Sequence, residues 1–299
     1  MGAGGAAAPD RSLPAHPSLP AWKSAFPLHT PHRFRDETGR EIRLAAPPER
    51  VVSLVPGITE TLFAIGAGSL VAGVTDYCNH PPEALGLPKV GGVRDPRVAD
   101  LLALKPDLVF ASKEENRQED VRAIEAAGVP VCLAGAQCVA QALGMIRAIA
   151  AACGLEDAGR GLAERLGSRI DSIPRRAALV PVLFPVWEDP LIAPGRRTFV
   201  ADLLRRAGAL SVAEALGEGW PRCPPDWPAA SGAEAVLLPS EPYPYVEDDR
   251  LRWLGFRQVP ACASGRVFLV DGERTNRPGP RMADGIEAVR DLVALLEAE

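Results

Sequence analysis

The sequence predicts an α/β protein of two lobes, each with a parallel sheet, joined by one long helix. Three observations carry this. Apolar runs of about five residues alternate with helical patterns in both halves of the chain, as strands do when both faces of a parallel sheet are covered. The second half echoes the first: ALKPDLVFAS at 103–112 matches ASGAEAVLLPS at 230–240 when Pro106 is laid on Ala233, an offset of 127 (233 − 106). Between the halves, Val139 to Ile173 is a nearly unbroken helical pattern of about 35 residues, roughly 50 Å long as a single helix.

Residues 1–32 are Ala/Gly/Pro-rich and lack a basic segment followed by an apolar one, so they are expected to be a disordered or processed leader rather than a secretory signal. The N-terminal lobe is assigned to 33–138. It opens with a hairpin over 33–46 around Thr38-Gly39, closed by Pro47-Pro48. The strands VVSLV, LVAGV, DLVFA and VPVCL follow, with helices starting at Thr59, at Asp95-Pro96 and near Glu119. The loop between Thr75 and Arg97 is too long and too rich in Pro and Gly for a plain connector, and such loops at strand ends carry ligand contacts in α/β proteins. After the connecting helix at 139–173, the C-terminal lobe takes 174–299. Its predicted elements are the strand ALVPVLFPV, the helix TFVADLLRRAG, the strands AEAVLLPS and VFLVDG, and a closing helix from Gly279.

The 299 residues suffice for two lobes with cores of their own, and a net charge of -5 argues against nucleic acid as the main partner. No apolar run approaches the roughly 18 to 20 residues that cross a bilayer. The six cysteines (78, 132, 138, 153, 223, 262) form no CxxC pair and read as scattered thiols. Ile65-Gly66-Ala67-Gly68 resembles the start of a dinucleotide fingerprint, but it closes a helix and precedes a strand, so it is a helix cap. GxSxG, HExxH and P-loop patterns are absent from the sequence, which leaves no catalytic constellation.

Three features remain as candidates. Thr59 and Glu60 sit at an expected helix start, where capping and the helix dipole explain them. Asp76-Tyr77-Cys78-Asn79-His80 offers potential metal ligands but no partners for them, and is expected to form a polar-aromatic cleft lip. Trp187, Trp220 and Trp227 fall in turn-rich segments, where a flat ring serves either core packing or contact with a large rigid ligand.

Three stretches, RVVSLVPGITETLFAIGAG, GVTDYCNHPPEA and VGGVRDPRVADLLALKPDLVFAS, resemble the N-lobe of the class III periplasmic binding proteins. These are the helical-backbone metal-chelate receptors of ABC importers, and the resemblance is closest to their cobalamin-binding branch. VWEDPLIAPGRRTFVADLLRRAGA, LLPSEPYPY and VFLVDGERTNRPGPR resemble the C-lobe of the same group. The resemblance implies two Rossmann-like lobes bridged by one helix and a ligand bound between them. It places Tyr77, Trp220 and Arg277 in the cleft and sets Val93 where the family has an N-lobe tryptophan. Val93 and Trp220 are themselves 127 apart, so they are mates in the internal repeat. Trp187 and His80 are added as cleft candidates. The resemblance also implies docking on a permease through one exposed carboxylate per lobe. Asp226 matches in the C-lobe; in the N-lobe the matching residue is Ala99, with Asp100 beside it.

The expected function is a monomeric binding protein for cobalamin or another metal chelate, with no cofactor of its own and no enzymatic step, delivering to an ABC importer. Resemblance places it in the periplasm or at the cell surface; the chain without a recognisable signal leaves a cytoplasmic corrinoid or haem carrier or sensor as the alternative. A tetrapyrrole metal chelatase centred on His80 is the third reading.

Overall fold

A computed structural model describes residues 31–298 together with Met1, so the expected leader lies outside the described residues except at its ends. The first strand already begins at its boundary. Strands β1 (His32–Arg35) and β2 (Glu41–Leu44) pair antiparallel with Phe34 opposite Ile42. Those two side chains are buried while their neighbours face outward, the period of two expected of a half-covered hairpin. Asp36 organises the turn, accepting from the Thr38 and Arg40 amides at 3.0 and 3.1 Å, and the Glu37 amide donates to the Leu133 carbonyl at 3.0 Å.

The N-lobe sheet is formed by β3 (Val51–Ser53), β4 (Val71–Val74), β5 (Leu108–Ala111) and β6 (Val131–Leu133), all parallel and ordered β4-β3-β5-β6. The C-lobe sheet is formed by β7 (Val180–Leu183), β10 (Ala209–Ser211), β11 (Ala235–Pro239) and β12 (Val267–Val270), ordered β10-β7-β11-β12. Between β7 and β10 lies a small hairpin, β8 (Trp187–Glu188) with β9 (Leu191–Ile192). Each sheet therefore begins in its second position and adds strands in the same order, so the internal repeat is one of topology.

Alternate residues of the central strands feed opposite faces. Leu108 and Phe110 enter one buried cluster, and Val109 and Ala111 another. In the C-lobe, Ala235 and Leu237 join the first cluster while Val236 and Leu238 enter a third. The first cluster is shared by the two lobes, and because each sheet is buried on its other face as well, both carry continuous apolar runs rather than alternating ones. Helices α1 (Pro56–Ala64), α2 (Val98–Ala103), α3 (Gln118–Ala126), α6 (Phe199–Ala207) and α11 (Met282–Ala298) match predicted helices. Thr198 caps α6, accepting from the Ala201 amide at 3.2 Å, and Gly208 ends it at φ +93. Gly66 (φ +86) follows α1, and the Ala67 amide reaches the Leu62 carbonyl at 2.8 Å, so the glycine pair is a helix cap as expected.

Three expectations need correction. The connecting segment is not one helix: it is α4 (Val139–Ala152) and α5 (Glu156–Ser172), broken by Gly154 at φ +70. The two pack against each other so closely that a Cβ on Gly159 would stand 2.2 Å from Ala150 Cβ. An apolar period continuing through a glycine is indistinguishable in sequence from a helix that turns back. The segment entering the C-lobe is thus α5 alone, about 25 Å long, tied to α11 by Arg169, whose Nε donates to Glu287 at 2.9 Å. Next, α1 starts at Pro56, three residues before Thr59, because proline suits the first helical turn. Thr59 is therefore not a cap. Last, β10, the β8–β9 hairpin and α8 (Glu247–Leu254) were not expected. Strands of two or three residues are too short to show a period.

We expect Gly159→Ala to destabilise the protein by about 1–3 kcal/mol, since the added methyl must part α4 from α5. Gly144→Ala, where a Cβ meets nothing within 4 Å inside α4, should stabilise it by about 0.5–1 kcal/mol. Thermal melts of the two variants should shift in opposite directions; melts shifted alike would contradict the tight hairpin.

Candidate functional site

The carboxyl ends of the two sheets face each other, and a network of charged side chains crosses between them. From the N-lobe come Glu60 on α1 and Asn79 in the loop after β4. From the C-lobe come Glu241 after β11, Glu273 on α10 (Gly272–Thr275), and Arg277 and Arg281 just before α11. Arg277 donates through Nη1 to Glu60 at 3.0 Å and to Asn79 Oδ1 at 2.9 Å, and through Nε to Glu241 at 2.7 Å. Arg281 donates to both oxygens of Glu60, at 2.7 and 2.8 Å, and to Glu273 at 3.0 Å.

Glu60 is 3% exposed and Arg277 7%. Burial alone would lower the Arg277 pKa, but the hydrogen bonds and charges of Glu241 and Glu60 overcome it and hold the guanidinium above its ordinary value. Arg281 behaves in the same way through Glu60 and Glu273. For Glu273, burial pushes upward, yet Arg281 and Arg277 bring its carboxyl below the usual value.

This arrangement changes the expectation for Arg277. The residue stands at the interface of the lobes, but it is buried and its charge is committed to three carboxylates, Glu60, Glu241 and, at 3.6 Å, Glu273. It joins the lobes rather than presenting a free cation. Glu60, expected to serve the helix dipole, is the partner that makes the joint.

The aromatic candidates are disposed differently. Tyr77, Trp187 and Trp220 are 62%, 44% and 48% exposed, and each lies beyond the carboxyl end of a sheet strand: Tyr77 after β4, Trp187 at β8 after β7, Trp220 after β10. Trp187 is held upright by its Nε1 bond to the Asp189 carbonyl at 3.1 Å and by an edge contact with Tyr243, ring centres 5.9 Å apart. Tyr243 in turn lies 4.5 Å from the buried Tyr245 ring. In sequence the LLPSEPYPY stretch counts for its resemblance alone and does not make Tyr243 or Tyr245 cleft candidates, though two tyrosines alternating with prolines at a strand end are a usable signal. Trp227, the third candidate, is half-buried against the outer C-lobe core and fills a packing role. The segment bearing Trp220 is laid along 192–196 by bonds such as Gly195 N to Gly219 O at 2.8 Å. A Cβ on Gly195 would be 2.5 Å from the Gly217 carbonyl oxygen, so the close approach requires glycine there.

The N-lobe loop has its own brace. Asn116 is buried, accepts from the Ser112 amide at 2.8 Å and donates to the Val93 carbonyl at 2.7 Å. Val93 is half-buried and follows β4 as Trp220 follows β10, so the two loops are topological mates. Thr59 Oγ1 lies 2.8 Å from Ser53 Oγ and 3.1 Å from Cys78 Sγ, anchoring the base of the Tyr77 loop. Burial pushes the Cys78 thiol up, and the cysteine acts as packing.

His80 is half-buried in a groove of about 340 Å³ on the flank of the joint, with Glu60, Phe63 and Arg281. Among the described residues, no three His, Cys, Asp or Glu side chains gather as metal ligands. Asp100 and Asp226 are exposed, each at the helix start that precedes the third strand of its lobe; Asp100 is paired with Arg97 at 2.6 Å. No described helix is long and apolar enough to cross a membrane.

With this geometry in place, known proteins offer a comparison. The family profile described as Periplasmic binding protein matches residues 51–273. The ABC transporter substrate-binding lipoprotein YvrC of Bacillus subtilis (strain 168) is 26% identical over 273 residues, which cover 88% of this chain and 85% of that protein. The vitamin B12-binding protein of Vibrio cholerae serotype O1 is 21% identical over 251 residues, covering 81% and 88%. Among solved structures, the periplasmic haem-binding protein RhuT from Roseiflexus sp. RS-1 in apo form matches with a TM-score of 0.74 and 28% identity, covering 83% of this chain and 98% of that one.

Proposed function

We propose, for a chain that belongs to the periplasmic binding protein family, that it binds a corrinoid or a related metal chelate between its lobes and delivers it to an ABC importer. The observation that carries this reading is the set of exposed rings, Tyr77, Trp187 and Trp220, on segments that follow the carboxyl ends of sheet strands in the two lobes. Aromatic surface left in water at the mouth of a cleft suits a large, flat, rigid partner, whose contact desolvates the rings at little cost in side-chain entropy. The relatives named for vitamin B12 and for haem support the ligand class. Haem is the second reading, favoured by the 28% identity to RhuT over nearly the whole of that chain.

The chain works by binding, without a covalent step and without a cofactor of its own, as a monomer. The α4–α5 hairpin and the buried charge network hold the lobes at a nearly fixed separation, so the cleft is preformed rather than closed by a wide hinge motion. Val93 and His80 flank the cleft without leading contacts. Asp226 and Asp100 are the docking carboxylates for the permease, acting mainly by steering the encounter. Lipoprotein and periplasmic relatives support a place outside the cytoplasmic membrane.

Gel filtration of the protein after mixing with cyanocobalamin tests the ligand class. The corrin visible band should co-elute with the protein at one ligand per chain; passage of all the colour in the small-molecule fractions would sink the corrinoid reading. For docking, Asp226→Ala should reduce importer-dependent uptake while leaving co-elution unchanged. Unchanged uptake would remove Asp226 from that role.

A further inference from the structure

The hairpin of β8 and β9 is too short to hold itself. Each strand has two residues, with Trp187 opposite Ile192 and Glu188 opposite Leu191, and so small a ladder needs outside support. Glu188 supplies it. Its Oε1 accepts from Trp253 Nε1 at 2.9 Å, and Arg252 Nη2 donates to both of its oxygens at 2.8 Å. Both donors lie on α8. Trp253 is buried in the outer C-lobe core, edge-on to Phe256 with ring centres 5.4 Å apart. Arg252 is fixed a second time by Asp249 at 2.7 Å, and Asp249 accepts from the Val246 amide at the start of the helix at 3.0 Å. The hairpin is therefore tied to a helix that the core holds still.

Trp187 directly precedes Glu188, and its ring has supports of its own in the Asp189 carbonyl and the edge contact with Tyr243. Tyr243 is placed by the same hairpin, since its amide donates to the Val186 carbonyl at 3.2 Å, and its ring lies against the buried Tyr245. These contacts leave 44% of Trp187 open to solvent. A ring fixed in this way meets a rigid ligand without first losing its freedom to turn, and that saving appears as affinity. The saving lasts only while the hairpin is anchored. Without the Glu188 carboxylate, the buried Trp253 N–H loses this acceptor and Arg252 keeps Asp249.

We propose that Glu188 is a positioning residue for the bound chelate: by clamping the β8–β9 hairpin to α8 it presents Trp187 to the ligand already oriented, and it acts through that ring rather than by contact. This rests on the cleft reading above.

The experiment is a double-mutant cycle. Cyanocobalamin and haemin are each titrated into the wild-type protein, Glu188→Ala, Trp187→Ala and the double variant, followed by the visible band of the ligand. Glu188→Ala should weaken the ligand about fivefold, less than Trp187→Ala does, because a residue acting through the ring cannot cost more than the ring. In the Trp187→Ala background the same change should cost less than about twofold. A residue that merely stabilised the lobe would weaken both backgrounds alike. Trp253→Phe keeps a buried ring and removes its N–H, so it should cost about threefold, again only where Trp187 is present. This variant decides the matter if Glu188→Ala does not fold. Losses that multiply across the cycle, or wild-type affinity in both Glu188→Ala and Trp253→Phe, would overturn the positioning role and leave the cleft reading standing. Binding of neither probe to the wild type would overturn both.

Discussion

Arg277→Met should lower the melting temperature by about 10 °C, the signature of a buried ion network losing its centre. The network holds three carboxylates, Glu60, Glu241 and Glu273, against two guanidiniums, Arg277 and Arg281. Removing Arg277 leaves the three carboxylates with Arg281 alone, in a place where Glu60 is 2% exposed along its side chain. Breaking a buried pair by removing one partner costs about 3–5 kcal/mol, because the remaining charge stays desolvated. Arg277→Lys should recover part of the loss, since an ammonium restores the charge but cannot span Glu241 and Glu60 with a planar fork. The two lobes are joined here by side chains, so the same variant should also loosen the cleft and weaken any ligand. Calorimetry of the unliganded variants separates the two roles. An unchanged melting temperature with weakened binding would mean that Arg277 serves the ligand directly and not the joint.

The second large effect is expected at Trp220. Truncation to alanine should weaken the chelate more than about 30-fold, as for a buried aromatic anchor at the centre of an interface. Trp187→Ala and Tyr77→Ala should each cost less, about tenfold, because Trp187 already spends one face on Tyr243 and Tyr77 stands furthest into solvent. All three rings are exposed in the unliganded protein, so their removal should leave stability within about 0.5 kcal/mol. That contrast with Arg277 is the useful one. Rings at the cleft mouth should change affinity without stability, whereas the buried arginine should change stability first. Equal loss of stability in the tryptophan variants would show that these rings pack against the protein instead of awaiting a ligand.

The lobes were legible because their signals are local. Leu108 to Ala111 is apolar at every position, and Thr198 and Gly208 mark both ends of α6 within one short stretch. The glycines at 66 and 68 could be separated from a nucleotide loop by order alone, since they follow a helix. The turn at Gly154 was not legible, because the apolar period of α4 passes into α5 without a polar interval. The charge network was illegible for a different reason. Residues 60, 79, 241, 273, 277 and 281 meet only after both sheets are built, and nothing local marks Glu60 as a partner for residues more than two hundred positions away. The aromatics were legible as residue types in turn-rich segments; that Tyr77, Trp187 and Trp220 stay exposed beyond the carboxyl ends of their strands required the fold.

Titration of the purified protein with cyanocobalamin and, separately, with haemin, followed by intrinsic tryptophan emission, tests the central claim most directly. A preformed cleft lined by Trp187 and Trp220 predicts saturable quenching by at least one of the two at submicromolar concentration, lost in Trp220→Ala. Absence of saturation with both ligands at tens of micromolar, or quenching that persists undiminished in Trp220→Ala, would contradict it.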